Sequence, residues 1–305
     1  MSKPSIIIIT GPTASGKTSL AERLALACGG QIINADAAQM YTPLSVGTAK
    51  PDWRSSPIPQ HLFDVVDTPI DTSVVAYRTM VIEKVNELSS MGKPIILVGG
   101  SLFYITSLFY PPRSITTNNS SSRERATGST PWERLNSIDP KRAQELHPND
   151  LYRVNRALAI WESTGIKPSE QKPVYIPPFQ ATVVCINPPR EVLFDRINGR
   201  VDEMLAAGWI EEAENLMRTP WQEFIATKGF IGYPELFAWI TCGKQPSELP
   251  ALIASIQKQT RVYAKRQVMF WKRLVNMLNQ ETDRPQILEF KNHECAESLK
   301  GLAPF

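Results

Sequence analysis

The hydrophobic positions of this chain fall into short unbroken runs separated by stretches of helical period. Ile6-Ile7-Ile8-Ile9-Thr10 precedes a helical pattern opening at Lys17, Gln31-Ile32-Ile33-Asn34 follows it, and a helix over residues 73–91 leads to Pro94-Ile95-Ile96-Leu97-Val98-Gly99-Gly100. Runs that are apolar on both faces belong to strands covered from each side, and their alternation with helices specifies a parallel sheet. Ligands of such sheets collect beyond the carboxyl ends of the strands, where residues 11–18, Asp36 and residues 99–101 all emerge.

The alternation breaks after Tyr110. Pro111-Pro112 opens a segment through Ser129 that is rich in Ser, Thr and Asn, lacks an apolar period and reads as a mobile loop. Helical patterns return at residues 131–135, 141–146 and 150–163, a proline-rich stretch covers 172–178, and 181–186 again reads as strand. The simplest organisation is an inserted, mostly helical domain over 111–180, with 1–110 and 181–305 forming the sheet-containing core. From Arg190 onward the patterns read as helical, including 197–207 and 252–277.

The first strand-to-helix junction carries chemistry. Gly11-Pro12-Thr13-Ala14-Ser15-Gly16-Lys17-Thr18 reads G-x-x-x-x-G-K-[ST], a loop whose backbone N–H groups cradle a phosphate at a helix N-terminus. Lys17 can reach a terminal phosphate and Thr18 can ligate Mg²⁺. The fold class is thus α/β: a P-loop NTPase-like parallel sheet sandwiched by helices, with an inserted mostly helical domain.

Other constellations are more ambiguous by themselves. Asp36 suits a water-bridged metal contact or a general base, and equally a helix N-cap. Ser101, after Gly99-Gly100, places a hydroxyl beside the phosphate loop or simply completes a turn. Lys50, in Gly47-Thr48-Ala49-Lys50-Pro51, adds a cation or is a solvated loop lysine. Asn149 or Asp150 caps a helix on which Arg153 and Arg156 form either a phosphate fork or a solvated basic face.

Composition narrows the classes. Charged residues make up 21% and hydrophobic residues 42% of the chain, with a formal net charge of +3, which describes a globular protein rather than a disordered one. Cys28, Cys185, Cys242 and Cys295 are scattered and His61, His147 and His293 complete no zinc pattern, so a reducing cytoplasmic setting without a structural metal is expected. No leader or membrane segment is expected either. Lys258, Arg261, Lys265, Arg266, Lys272 and Arg273 occur within residues 254–274 without an acidic residue. Concentrated on one helix, they suggest binding to nucleic-acid phosphates. The interleaved Tyr263, Phe270 and Trp271 read as core.

Taken in order, the segments resemble the tRNA dimethylallyltransferase (tRNA isopentenyltransferase) family. They are the phosphate loop, Asp36-x-x-Gln39-x-Tyr41, residues 47–51, His61-Leu62, Gly99-Gly100-Ser101, His147-Pro148-Asn149-Asp150 with Arg153 and Arg156, Ile231-Gly232-Tyr233, and residues 260–267. The resemblance implies transfer of a dimethylallyl group from dimethylallyl diphosphate to the exocyclic N6 amine of the adenosine 3′ to the tRNA anticodon. Asp36 would be the general base, Lys17, Thr18 and Ser101 would stabilise the leaving diphosphate, and Mg²⁺ would assist. The implied contacts to the tRNA anticodon stem-loop are Asp36, Ala37, Ala38, Gln39, Ser101, Arg123, Tyr152, Arg153, Val154, Asn155, Arg156, Gly232, Tyr233, Lys265 and Arg266. A monomer is expected.

The chain departs from the family pattern in places. Ala37 stands where serine is usual, Ser101 where threonine is usual, Gln60 where a first histidine is usual, and Met269 where threonine often follows the Lys-Arg-Gln. The rivals are a P-loop kinase of a nucleotide or small molecule, an isopentenyltransferase of free adenine nucleotides, and a non-catalytic RNA-binding protein. The intact Lys17, Thr18 and Asp36 argue against the last.

Overall fold

The computed structural model describes residues 3–112, 129–292 and 299. The serine-rich segment read as a mobile loop falls largely, and Arg123 entirely, outside the described residues. Along the chain the elements are β1 (Ser5–Thr10), α1 (Lys17–Cys28), β2 (Gln31–Asn34), β3 (Gln60–His61), α2 (Val74–Ser90), β4 (Ile95–Val98) and α3 (Leu102–Phe109). Then come α4 (Pro131–Ile138), α5 (Pro140–Gln144), α6 (Leu151–Thr164), β5 (Gln180–Ile186) and α7 (Arg190–Ala206). The chain continues through α8 (Trp209–Leu216), α9 (Pro220–Lys228), α10 (Tyr233–Thr241), α11 (Leu249–Leu278) and β6 (Gln286–Phe290).

The six strands form one parallel sheet in the order β3-β2-β4-β1-β5-β6. Its centre is the isoleucine run: Ile7 and Ile9 pack with Leu20, Ala21 and Leu24 of α1, while Ile6 and Ile8, which point the other way, are also buried. A second apolar cluster joins Trp209, Tyr233, Leu236 and Ile256 from α8, α10 and α11 to Tyr41 and Leu44 in the connection after β2.

Two elements depart from the sequence reading. Residues 286–290 form a parallel edge strand on β5 where a helical pattern was expected, because Ile287, Leu288 and Phe290 complete the sheet edge from sequence-distant partners. Gln60–His61 is a two-residue strand with no periodic signal of its own.

Two compact units result, one of residues 1–109 with 176–305 and the other of 110–175. Ile176 belongs to the first because its N–H donates to Phe109 O at 2.8 Å and its carbonyl accepts from Arg78. In the second, Leu135, Ala143, Leu146, Val154 and Leu158 form a small core. Asp150 caps α6 by accepting from the Arg153 N–H at 3.1 Å. Buried Asp139 caps α5 and also accepts from the Ser169 N–H at 2.8 Å.

Gly99 sets how closely the segments beyond β2 and β4 approach. A Cβ there would stand 2.1 Å from the Ala35 carbonyl, and no flexible side chain can yield. Gly99→Ala is expected to lower unfolding free energy by about 1–3 kcal/mol in urea denaturation. Parental stability would contradict the close approach.

Candidate active site

The phosphate loop is built as its sequence demands. Gly11 has φ +151°, and an added Cβ would lie 2.3 Å from Ile186 O, so only glycine fits between β1 and β5. Gly16, at φ +92°, turns the chain into α1. Inside the loop the Ser15 hydroxyl is buried with no partner, a group that an anion's oxygen would satisfy.

Buried Gln267 of α11 holds this loop in place. Its Oε1 accepts from the Thr13 N–H at 2.8 Å and its Nε2 donates to Gly100 O at 2.9 Å, which ties the phosphate loop to the segment after β4. From α7, Arg196 approaches Ser15 O at 3.5 Å and Arg200 approaches Thr13 Oγ1 at 3.4 Å. These residues sit one turn apart on one helix face. The loop therefore faces three cations, with Lys17 as the third. Burial, with the Arg200 charge beside it and the Asp36 carboxylate opposing both, lowers the Lys17 pKa to about 8.

Asp36 combines a local backbone contact with a place at an open space. Its Oδ1 accepts from the Ala38 N–H two residues on at 3.1 Å, at the entry to the short turn Ala38–Met40, and the residue borders a crevice of about 420 Å³. Asn34 braces it from below, accepting from the Asp36 N–H at 2.9 Å. The Ser101 hydroxyl accepts from the Ala37 N–H at 2.9 Å, so it joins the β4 loop to the segment after β2 as well as bordering the crevice.

The crevice also meets Thr13, Ala37, Ala38, Arg200, Tyr263 and Arg266, with an apolar flank from Ile197, Val201, Met204, Phe230 and Ile231. Another part of its wall is the loop of Gly47, Thr48 and Ala49, beside Trp209 and Tyr233. Gln39 donates to Thr48 O at 3.0 Å and Ala49 O at 3.3 Å, which fastens the two sides together. A phosphate end, a carboxylate and an apolar lining thus share one space.

Several expected residues have other duties. Lys50 is buried in an ion pair with Asp64, which also holds Arg54 at 2.7 Å and accepts from Trp53 Nε1 at 3.0 Å, so it is neither solvated nor aimed at a ligand. Tyr233 is fully buried and donates its hydroxyl to Glu212 Oε1 at 2.6 Å, so its hydroxyl is committed within the fold. Gly232, at φ +92°, lets the chain pass Trp209, whose ring would be 2.1 Å from an added Cβ. In the second unit Val154 is buried, whereas Tyr152, Arg153, Asn155 and Arg156 are exposed on α6.

On α11, Arg266 borders the crevice while Lys265 lies over the Phe194 ring with Nζ 5.7 Å from its centroid. Consecutive helical residues leave the axis about 100° apart, which separates the two. Among the aromatics of that helix Trp271 is buried as expected, but Tyr263 borders the crevice and Phe270 is 45% exposed. Arg196, Arg200 and Glu212 were missed by sequence reasoning. The only available signal was the i, i+4 spacing of the two arginines.

A family model described as IPP transferase matches residues 39–274. The chain belongs to that family. A Geobacter sulfurreducens protein named tRNA dimethylallyltransferase is 37% identical over 89% of this chain and 90% of its own length. One of that name from Roseiflexus castenholzii is 31% identical over 93% and 95%. A eukaryotic dimethylallyltransferase solved acting on tRNA matches with TM-score 0.78 and 26% identity, covering 97% of this chain and 78% of that one. The tRNA isopentenylpyrophosphate transferase of Bacillus halodurans matches with TM-score 0.67 and 26% identity over 99% and 95%. The expected family and α/β fold class both hold, and the chain is an enzyme of the prenyltransferase class.

The lowered Lys17 pKa gives this IPP transferase a pH signature. Only the ammonium form attracts an anion, and it is lost as pH rises through about 8. Affinity for inorganic diphosphate, measured by calorimetry, is expected to weaken above that pH. In Lys17→Arg, whose guanidinium stays charged, the break should vanish. A flat profile in the parent would remove Lys17 from anion binding.

Proposed function

We propose that the chain transfers a dimethylallyl group from dimethylallyl diphosphate to the N6 amine of the adenosine 3′-adjacent to the anticodon of tRNA, releasing diphosphate, as a cytoplasmic monomer. The observation that carries this reading is the crevice itself, which joins a phosphate loop flanked by Lys17 and Arg200 to the carboxylate of Asp36. The names of the relatives favour prenyl transfer over the kinase reading. Among the described residues no helix is long and apolar enough to cross a membrane.

The chemistry follows from the arrangement. The adenine N6 lone pair attacks C1 of the allylic group, the C1–O bond breaks, and its electrons leave with the diphosphate. Lys17, Arg200 and the loop N–H groups meet the developing negative charge, and their fixed positions make that stabilisation effective. Asp36 takes the proton that N6 loses. The adenine must leave its stack to reach Asp36. Ile197, Val201 and Met204 supply an apolar surface for the five-carbon chain and help exclude water.

The donor set suits Mg²⁺. Among the described residues there is no group of three or more His, Cys, Asp or Glu able to hold a metal. Mg²⁺ commonly takes one or two protein oxygens beside substrate phosphates and waters. The Thr18 hydroxyl and the Asp36 carboxylate would hold the ion, and the unpartnered Ser15 hydroxyl marks the loop as a polar site. Bound there, the ion would supply positive charge opposite the leaving diphosphate.

RNA binding is assigned to the exposed residues of α6, namely Tyr152, Arg153, Asn155 and Arg156, and to Ala37, Ala38, Gln39, Lys265 and Arg266. Asp36→Ala is expected to cut transfer by about 10²–10⁴-fold while leaving tRNA affinity near the parental value, with mass spectrometry of tRNA nucleosides as the readout. Equal turnover would remove Asp36 from the mechanism. Lys265→Glu with Arg266→Glu should weaken tRNA binding and flatten its dependence on log salt by about one unit per lost phosphate contact. An unchanged slope would take both residues out of the interface.

A further inference from the structure

Glu212 of α8 is the most heavily engaged carboxylate near the crevice, yet it does not line it. Its Oε2 accepts from the Ser45 N–H at 2.9 Å and the Val46 N–H at 2.7 Å. Its Oε1 accepts from the Gly47 N–H at 3.0 Å and the Tyr233 hydroxyl at 2.6 Å. Four donors from two distant segments converge on one side chain. Three consecutive backbone N–H groups aimed at one point form a cradle of the kind that elsewhere holds anions, and here the anion belongs to the protein.

We infer that Glu212 is a positioning residue for the transfer reaction, an internal anion that holds the Gly47-Thr48-Ala49 wall against Gln39 and so shapes the adenine side of the crevice. This rests on the proposed function. The link to the site is continuous, since Glu212 fixes the Gly47 N–H and Gln39 donates to the carbonyls of Thr48 and Ala49. Sterics back the clamp from behind. A Cβ on Gly47 would lie 2.0 Å from Trp209 Nε1 and 2.5 Å from the Tyr233 hydroxyl, so the loop is seated directly on the residues around Glu212.

The chemistry singles out a carboxylate. An ionised Glu is acceptor-only, whereas Gln replaces one acceptor with an NH₂ donor. Whichever way the Gln amide turns, its NH₂ meets at least one backbone N–H. Turned toward Gly47 and Tyr233 it strands the Gly47 N–H, because the phenol alone can switch to accepting. Turned the other way it strands Ser45 and Val46. Glu212→Gln therefore preserves shape and removes the clamp.

The test measures steady-state transfer to an anticodon stem-loop RNA together with calorimetric binding of inorganic diphosphate. Glu212→Gln is expected to lower kcat/KM for the RNA by about tenfold or more, with diphosphate affinity within about twofold of the parent. In a Gln39→Ala background the effect of Glu212→Gln should shrink, because both act through one wall. Equal losses of RNA turnover and diphosphate binding, or full additivity with Gln39→Ala, would make Glu212 a stability residue and overturn the proposal. Should the variant fail to fold, hydrogen exchange in the parent decides: the amides of Ser45, Val46 and Gly47 must exchange slowly, and free exchange refutes the clamp. A parent that prenylates no RNA sinks the functional reading, while the exchange result still judges the clamp.

Discussion

One buried glutamine carries the geometry of the site. Gln267 accepts from the phosphate loop through Thr13 and donates to Gly100, so the loops beyond β1 and β4 are fixed relative to each other by a side chain from the far end of the sequence. The amide suits this place because one contact needs an acceptor and the other a donor. With both satisfied and the side chain buried, α11 is locked over the sheet, and Arg266 and Tyr263 are carried to the crevice edge with it.

Within that frame the electrostatics are deliberately unbalanced. Lys17, Arg196 and Arg200 gather around the loop, and burial followed by the Arg200 charge depresses Lys17 against the pull of Asp36. An anionic ligand resolves the imbalance. On the opposite side the carboxylate of Glu212 is wholly consumed by four donors. Asp36 lies between these extremes, using one oxygen for a turn while bordering the open space. The contrast separates a carboxylate committed within the fold from one that borders open space.

The sequence reveals those parts of the site whose signal is local. The glycines of the phosphate loop are required by its turns, and the apolar run before it is the sheet's centre. Asp36 is visible as a candidate, but no pattern shows that it bonds the Ala38 N–H and borders the crevice at the same time. Glu212 is invisible because its three backbone partners lie more than 160 residues upstream on a loop without period. Arg196 and Arg200 look like the solvated face of a helix until the phosphate loop is placed against them. The edge strand Gln286–Phe290 is missed for the same reason, since its register with β5 is a tertiary fact. The family departures also acquire meaning only in three dimensions. Ser101 keeps the hydroxyl that receives the Ala37 N–H, whereas Gln60 is buried with both side-chain polar atoms unpartnered.

The most direct test of the account is a crystal structure with an unreactive allylic diphosphate analogue and an anticodon stem-loop bound together. The account predicts the diphosphate inside the phosphate loop between Lys17 and Arg200, and the adenine N6 within hydrogen-bonding distance of the Asp36 carboxylate. A diphosphate seated elsewhere, or an adenine still stacked in its loop, would contradict it.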